Sequence, residues 1–180
     1  KRRGHGPVRS GQCTACHNPH ASPQKNLLAE PQPGVCFRCH NKRNFNDQKF
    51  KHAPVASGAC TDCHTPHQAD EKHLLPRKTP DLCFICHDSK KFEDKSTHSP
   101  VAGGLCASCH YPHSSETGKL LLSPAPELCY TCHDKNLFSG KETVHSPVGS
   151  GLCASCHQPH ASSAGKLLLE KRPELCFTWH

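Results

Sequence analysis

The sequence predicts four tandem copies of one small unit. The unit has short α-helices and loops and little regular secondary structure, and it wraps around material that is not peptide. Three observations carry this. The tetrad His-x-Pro-Val begins at His5, His52, His98 and His145, at spacings of 47, 46 and 47 residues. Leu, Ile, Val and Phe make up 17% of the 180 residues, below the roughly 20% under which a charged chain usually fails to fold. Yet the chain holds 15 Cys and 17 His, a density typical of scaffolds held by cross-links or cofactors. The 16 Pro and 12 Gly favour loops over long elements.

Composition removes several classes. No run approaches the roughly 20 apolar residues of a membrane span; the longest are Leu120–Leu122 and Leu167–Leu169. The net charge of +7 comes from 22 basic and 15 acidic residues interspersed along the chain. Lys1-Arg2-Arg3 alone resembles a basic patch and reads as a solvated terminus, so no nucleic-acid partner is expected. An odd Cys count does not suit a closed set of disulfides. With no Met start and no leader, the chain is expected to be a mature or trimmed form.

The repeats divide the chain at 5–51, 52–97, 98–144 and 145–180. Each opens with its His-x-Pro-Val. Eight residues after that His comes Cys13, Cys60, Cys106 or Cys153, opening Cys-x-x-Cys-His and continuing as Cys-His-x-Pro-His. A small Leu cluster follows (Leu27/Leu28, Leu74/Leu75, Leu120–Leu122, Leu167–Leu169). Pro-x-Leu or Pro-x-Val then leads into Cys36, Cys83, Cys129 or Cys176, twenty-three residues after the first Cys. Pro with an acid beside it suits a helix start, so a short helix is expected to enter each second motif, for example from Pro126 to about His133. The His-x-Pro steps are expected in turns and extended connectors. An aromatic follows the second-motif Cys (Phe37, Phe84, Tyr130, Phe177), and a Phe lies nine residues beyond that Cys (Phe45, Phe92, Phe138). The fourth such Phe would fall past His180, so repeat four is expected to be truncated at its C-terminal end.

Seven complete Cys-x-x-Cys-His motifs are present, at Cys13/Cys16/His17, Cys36/Cys39/His40, Cys60/Cys63/His64, Cys83/Cys86/His87, Cys106/Cys109/His110, Cys129/Cys132/His133 and Cys153/Cys156/His157. This is the attachment signature of haem c. Two thiols on one turn can each add to a vinyl group, and the next residue sets an imidazole below the iron. Zinc is the rival, because paired Cys-x-x-Cys motifs fall in the zinc-ribbon range. A tetrathiolate site, however, has no use for a His after every pair. Trp179 would also leave the fourth copy one ligand short. The eighth motif, Cys176-Phe177-Thr178-Trp179-His180, keeps one thiol and the His. It reads as a haem held by a single thioether, with a lost site as the alternative. Eight haems are thus expected, seven with two thioethers and the eighth through Cys176 alone.

An electron-carrying haem iron usually has an axial ligand on each face. There is no Met, so His must serve. Beyond the eight motif histidines, eight more fall on two recurring positions: His5, His52, His98 and His145, and His20, His67, His113 and His160. Eight irons and eight spare histidines imply bis-His ligation. The ninth, His73, stands where the other repeats are read as having Asn26, Leu120 and Leu167, and is expected to be an ordinary surface residue. His20 follows His17 by three residues, at most about 10 Å of chain, too short to pass around the macrocycle. It is therefore expected to serve a different haem, and likewise His67, His113 and His160. Neighbouring irons would then lie within roughly 20 Å. A neighbouring subunit could supply some of these ligands.

The unit resembles that of the doubled-CXXCH multihaem c-type cytochromes throughout residues 5–180. It is also similar to decahaem electron conduits, to the pentahaem donors of nitrite reductase and to extracellular cytochrome filaments. Trp179 departs from the pattern. The resemblance implies the fold class of a multihaem cytochrome c, four tandem dihaem repeats wrapped around a chain of stacked haems. It implies an exported, periplasmic or extracellular electron carrier rather than an enzyme. Its partners would be redox cytochromes or extracellular acceptors, and it would act as a homo-oligomer or filament, a soluble shuttle or a porin conduit. An oxidoreductase would need one open haem face, for which the Cys176 site is the candidate if its partner is missing. The Leu clusters and aromatics would pack on the macrocycles. With two propionates per haem, the +7 becomes about −1 oxidised and about −9 reduced.

Overall fold

The computed structural model describes residues 3–180; Lys1 and Arg2 of the opening basic run lie outside them. The chain forms two units, one comprising residues up to Leu82 together with Pro112–Glu116, the other Cys83–Tyr111 with Thr117–His180. The units do not follow the repeat boundaries, since Pro112–Glu116 belongs to repeat three.

Regular structure comes in single turns. Four-residue α-helices cover Gly6–Arg9, Ala53–Ala56, Ser99–Ala102 and Ser146–Gly149. The His-x-Pro-Val tetrads are therefore helical turns, not extended connectors. In each, the His is the extended N-cap and Pro stands in the first turn, where its missing N–H costs nothing. A glycine in the left-handed region follows each turn (Gly11, Gly58, Gly104, Gly151). The helix entering the second motif spans only Gly34–Phe37, Glu127–Tyr130 and Glu174–Phe177. In repeat two it is a 3-10 turn, Cys83–Ile85. It is shorter than the sequence predicts because there is no apolar stripe to bury and continue it. The Pro before each of these turns is preceded by a cis peptide bond.

Six two-residue strands make three antiparallel ladders. They are β1 (Arg3–Gly4), β2 (Phe50–Lys51), β3 (Gln68–Ala69), β4 (Ser96–Thr97), β5 (Ser114–Ser115) and β6 (Ala161–Ser162). β1 pairs with β3 and β2 with β5 in the first unit, and β4 with β6 in the second. Each ladder joins the residues before a His-x-Pro-Val to those just after the Cys-His-x-Pro-His of the next repeat.

Peptide does not make the core. The chain exposes 13,010 Å², against about 8,600 Å² for a compact protein of its mass. Among the described residues the buried apolar side chains are Val35, Ala69 and Ala164, while Ile85, Leu105, Leu122, Leu137 and Phe177 are exposed. No helix among the described residues is long and apolar enough to cross a membrane.

Candidate haem sites

Each Cys-x-x-Cys-His closes on itself. The N–H of the second Cys (Cys16, Cys39, Cys63, Cys86, Cys109, Cys132, Cys156) donates to the carbonyl of the first at 3.2–3.4 Å. The N–H of the following His (His17, His40, His64, His87, His110, His133, His157) donates to the same carbonyl at 3.0 Å. His180 does so to Cys176 at 3.1 Å. Both thiols and the imidazole thus project from one turn, in the Cys83/Cys86/His87 motif as in the others. The incomplete motif keeps this geometry, with Trp179 in the second thiol position. None of the 15 Cys forms a disulfide.

The motifs are alike in sequence but not in setting. In the first motif of each repeat the second thiol (Cys16, Cys63, Cys109, Cys156) is half-buried. In the second motif it is exposed, at Cys39, Cys86 and Cys132. The Leu segment makes the difference, because it folds back on the first motif only. The N–H groups of Ala29, Leu122 and Leu169 donate to the Cys16, Cys109 and Cys156 carbonyls at 2.9 Å. Repeat two has Pro76 at the matching position, which has no N–H to give.

The recurring histidines meet in pairs. In the first unit His5 faces His40 at 6.1 Å between ring centres, His17 faces His67 at 5.9 Å and His64 faces His113 at 6.0 Å. In the second, His98 faces His133 at 6.1 Å, His110 faces His160 at 5.9 Å and His145 faces His180 at 5.8 Å. Ring planes within a pair are 14–36° apart. Metal–imidazole bonds of about 2 Å on each side, plus about 1 Å from each nitrogen to its ring centre, require roughly 6 Å. These six pairs therefore have room for one iron each. Each pairs a motif His with a His from one of the two other recurring positions. His20 and His157 have no facing ring among the described residues. The Cys176 motif, the open-face candidate from sequence, has His145 opposite its His.

The other ring nitrogen is held. Nδ1 of His17, His64, His110 and His157 lies 2.7–3.0 Å from the carbonyls of Asn26, His73, Lys119 and Lys166. His52 and His98 likewise reach the carbonyls of Pro112 and Pro159, both at 3.0 Å. A carbonyl only accepts, so Nδ1 carries the proton and Nε2 keeps its lone pair. Metal-binding histidines are usually oriented this way. The donor set therefore fits haem iron. Among the described residues no three His, Cys, Asp or Glu side chains converge as a ligand cluster.

Sequence reasoning missed the device that aims those carbonyls. Asn26-Leu27, His73-Leu74, Lys119-Leu120 and Lys166-Leu167 are consecutive left-handed residues with φ of 54–60°. Left-handed backbone costs a non-glycine residue about 1–2 kcal/mol, so two in succession, four times over, mark a required conformation. The turn swings the Leu segment back beside the first motif. The N–H groups of Asn18, Thr65, Tyr111 and Gln158 donate to the Leu27, Leu74, Leu120 and Leu167 carbonyls at 2.7–2.8 Å. His73 thus aligns with Asn26, Lys119 and Lys166, not with Leu120 and Leu167, and contributes its carbonyl. Asn26, a residue tolerant of left-handed backbone, was the single hint.

The recurring aromatics pair within their repeats: Phe37 with Phe45, Phe84 with Phe92 and Tyr130 with Phe138. Phe45 meets the edge of His113 at 5.1 Å, and Phe92 meets His160 at 5.1 Å. Burial first, then neighbouring histidines, lowers the pKa of both His113 and His160. The shift favours the neutral imidazole, the form that ligates metal. Thiols of successive motifs also approach. Burial, then Cys60 and Cys16, pushes Cys36 up to about 11. Cys129 is raised by burial, then Cys153 and Cys109. Attachment points of consecutive motifs thus cluster within each unit.

Repeated attachment turns, histidine rings facing one another and the scarcity of buried apolar side chains among the described residues define a covalent multihaem c-type cytochrome, a protein of electron transfer. The family model of the doubled CXXCH motif matches four times, over residues 5–45, 52–92, 98–137 and 145–180, and the chain belongs to that family. No curated protein matches the chain.

Proposed function

We propose that the chain carries eight haem c groups and passes electrons along them as an extracytoplasmic conduit, periplasmic or extracellular, between redox cytochromes or extracellular acceptors. The facing histidine pairs support this reading most. Haem supplies an iron that alternates between ferric and ferrous states. The chain's own residues do the rest. Seven Cys pairs anchor, with Cys176 alone anchoring the eighth. His17, His40, His64, His110, His133 and His180 would each hold an iron together with His67, His5, His113, His160, His98 and His145 respectively. His52 and His87, which in repeat two stand where His98 and His133 stand in repeat three, are likewise iron ligands in this reading. Carbonyl-bound Nδ1 groups keep the rings from turning, so little rearranges when charge changes. An iron held between two facing histidines would leave substrate no entry, which favours a carrier at those six sites.

Intact mass is the test. Each haem adds about 0.6 kDa, and eight additions are expected. Seven would mean that the Cys176 site is lost, and none would overturn the reading. A second reading, an oxidoreductase, rests on one observation: His157 has no facing ring among the described residues. A high-spin ferric signal that persists and shifts with added substrate would favour it.

A further inference from the structure

Opposite charges mix along the chain, but their balance shifts from repeat to repeat. Repeat one, 5–51, carries seven basic residues and two acidic ones. Repeat two carries six basic and seven acidic, and repeat three carries three and four. The difference concentrates in one recurring element, the segment between the His of the second motif and the next His-x-Pro-Val. In repeats two and three this segment is balanced. Lys90, Lys91 and Lys95 stand against Asp88, Glu93 and Asp94, and Lys135 and Lys141 against Asp134 and Glu142. In repeat one Lys42, Arg43, Lys49 and Lys51 stand against Asp47 alone.

Folding does not require that excess. In all three repeats the residue after the motif His caps the turn that follows. Asp88 accepts from the Lys90 N–H at 3.1 Å, Asp134 from the Asn136 N–H at 2.9 Å and Asn41 from the Arg43 N–H at 3.0 Å. Asn41 thus keeps the cap without its charge. Lys42, Arg43, Lys49 and Lys51 are exposed. Among the described residues none of the four is in an ion pair, whereas Arg38 meets Glu30 at 3.5 Å. The cations are also held in place. Arg43–Asn46 is a helical turn, and β2 (Phe50–Lys51) is laddered to β5 (Ser114–Ser115). Lys49 Nζ lies 5.4 Å from the centre of the Phe50 ring, which is 38% exposed, so an apolar ring stands among the charges. The patch adjoins a haem site. His40, which faces His5, precedes Arg43 by three residues, at most about 10 Å of chain. Cys39 and His40 are themselves exposed.

We infer that the segment 41–51 is a docking surface for an acidic electron-transfer protein that delivers electrons to the Cys36/Cys39 haem. The inference rests on the haem reading above. Lys and Arg stay charged at physiological pH. Cations beside a redox centre draw in a partner with carboxylates around its own centre, which speeds encounter and fixes orientation. Two ferric haems of about −1 each leave repeat one positive and make repeats two and three more negative. An acidic partner is therefore attracted to one repeat and repelled by the next two, which selects the site. The same charges set the direction. One electron leaves the partner, which becomes less negative, and reduces a ferric iron to ferrous, which makes the chain less positive. Attraction falls as transfer completes, and the oxidised donor is released. An acidic acceptor would instead be held more tightly after transfer.

The test uses the haem-loaded 180-residue chain and, as acidic donor, reduced plant-type ferredoxin. Stopped flow reads the second-order rate of haem reduction at about 0.1 M salt, where charges more than about 10 Å away are largely screened. Lys42→Glu/Arg43→Glu/Lys49→Glu should slow reduction about tenfold or more. The same charge change in the balanced segment, Lys90→Glu/Lys91→Glu/Lys95→Glu, should slow it less than about twofold. Lys42→Gln/Arg43→Gln/Lys49→Gln should give an intermediate loss with haem content and circular dichroism unchanged. Reduction by a small neutral flavin should proceed alike in all four chains. Carbodiimide joins donor carboxylates to lysine amines, and should link the donor to Lys42, Lys49 and Lys51 ahead of lysines elsewhere. In a chain of full haem mass, equal slowing by the two Glu variants would overturn the inference alone. So would cross-links spread over the lysines of all repeats, or an equal slowing with flavin. A chain without haem mass would overturn the haem reading and this one with it.

Discussion

Lys119 sits at φ 59° so that its carbonyl can take the His110 Nδ1–H at 2.9 Å. That bond makes the imidazole a stronger electron donor and favours ferric iron. Proline would lock φ near −65° and turn the carbonyl away. Lys119→Pro should therefore raise the midpoint potential of one haem and leave the rest, as read by a spectroelectrochemical titration. Ligand exchange between repeats has a residue-level test as well. His113 follows His110 by three residues but faces His64. His113→Ala should convert the His64 haem to high spin and spare the His110 haem, resolved by EPR on chains carrying a second substitution at either site. The spare histidines were legible in sequence because they recur at constant offsets. The left-handed carbonyl turns were not, since neither Lys119 nor Lys166 belongs to a type that prefers that conformation. Nor was the unequal burial of Cys63 and Cys156 against Cys39, Cys86 and Cys132, which follows from where the Leu segment folds and not from the motifs themselves.

Single helical turns and two-residue ladders have little stability of their own. Contacts between repeats hold them instead, and the glycine–proline contact shows how closely. Gly151 combines φ 71° with a proline ring 2.7 Å from its missing Cβ. Gly151→Ala incurs the left-handed cost of about 1–2 kcal/mol and must also push Pro126 away. It should lower the guanidinium midpoint of the loaded protein. Gly6→Ala, in a helical turn with nothing within 4 Å, should leave that midpoint unchanged or raise it slightly. Sequence placed helices at the second motif of repeats one, three and four but assigned too many residues to them, and in repeat two the turn is 3-10. It missed those at His-x-Pro-Val, where proline could equally mark a turn or a helix start.

With three buried apolar side chains among the described residues, the whole molecule has no core until the macrocycles supply one. Chain produced without haem attachment should give the far-UV circular dichroism of an unfolded polypeptide, and its exposed Leu and Phe should make it aggregate. Charge follows the same cofactor. The bare chain is +7 at neutral pH, whereas the proposed eight ferric haems would bring it to about −1. In native electrophoresis the bare and loaded forms should migrate in opposite directions, and reduction should speed the loaded form further toward the anode.

Four tandem units and covalent haem c were determined by the sequence alone, which also holds no Met and so offers histidine as the candidate ligand. Attachment chemistry and its spacing are local, confined to one turn of chain. Which histidine faces which was decided only by tertiary structure. The partners lie 35 residues apart in His5–His40 and 50 apart in His17–His67. Offsets that long are set by the path of the backbone, by the left-handed turns and by strand pairing between successive repeats. That path leaves His20 and His157 without facing rings among the described residues.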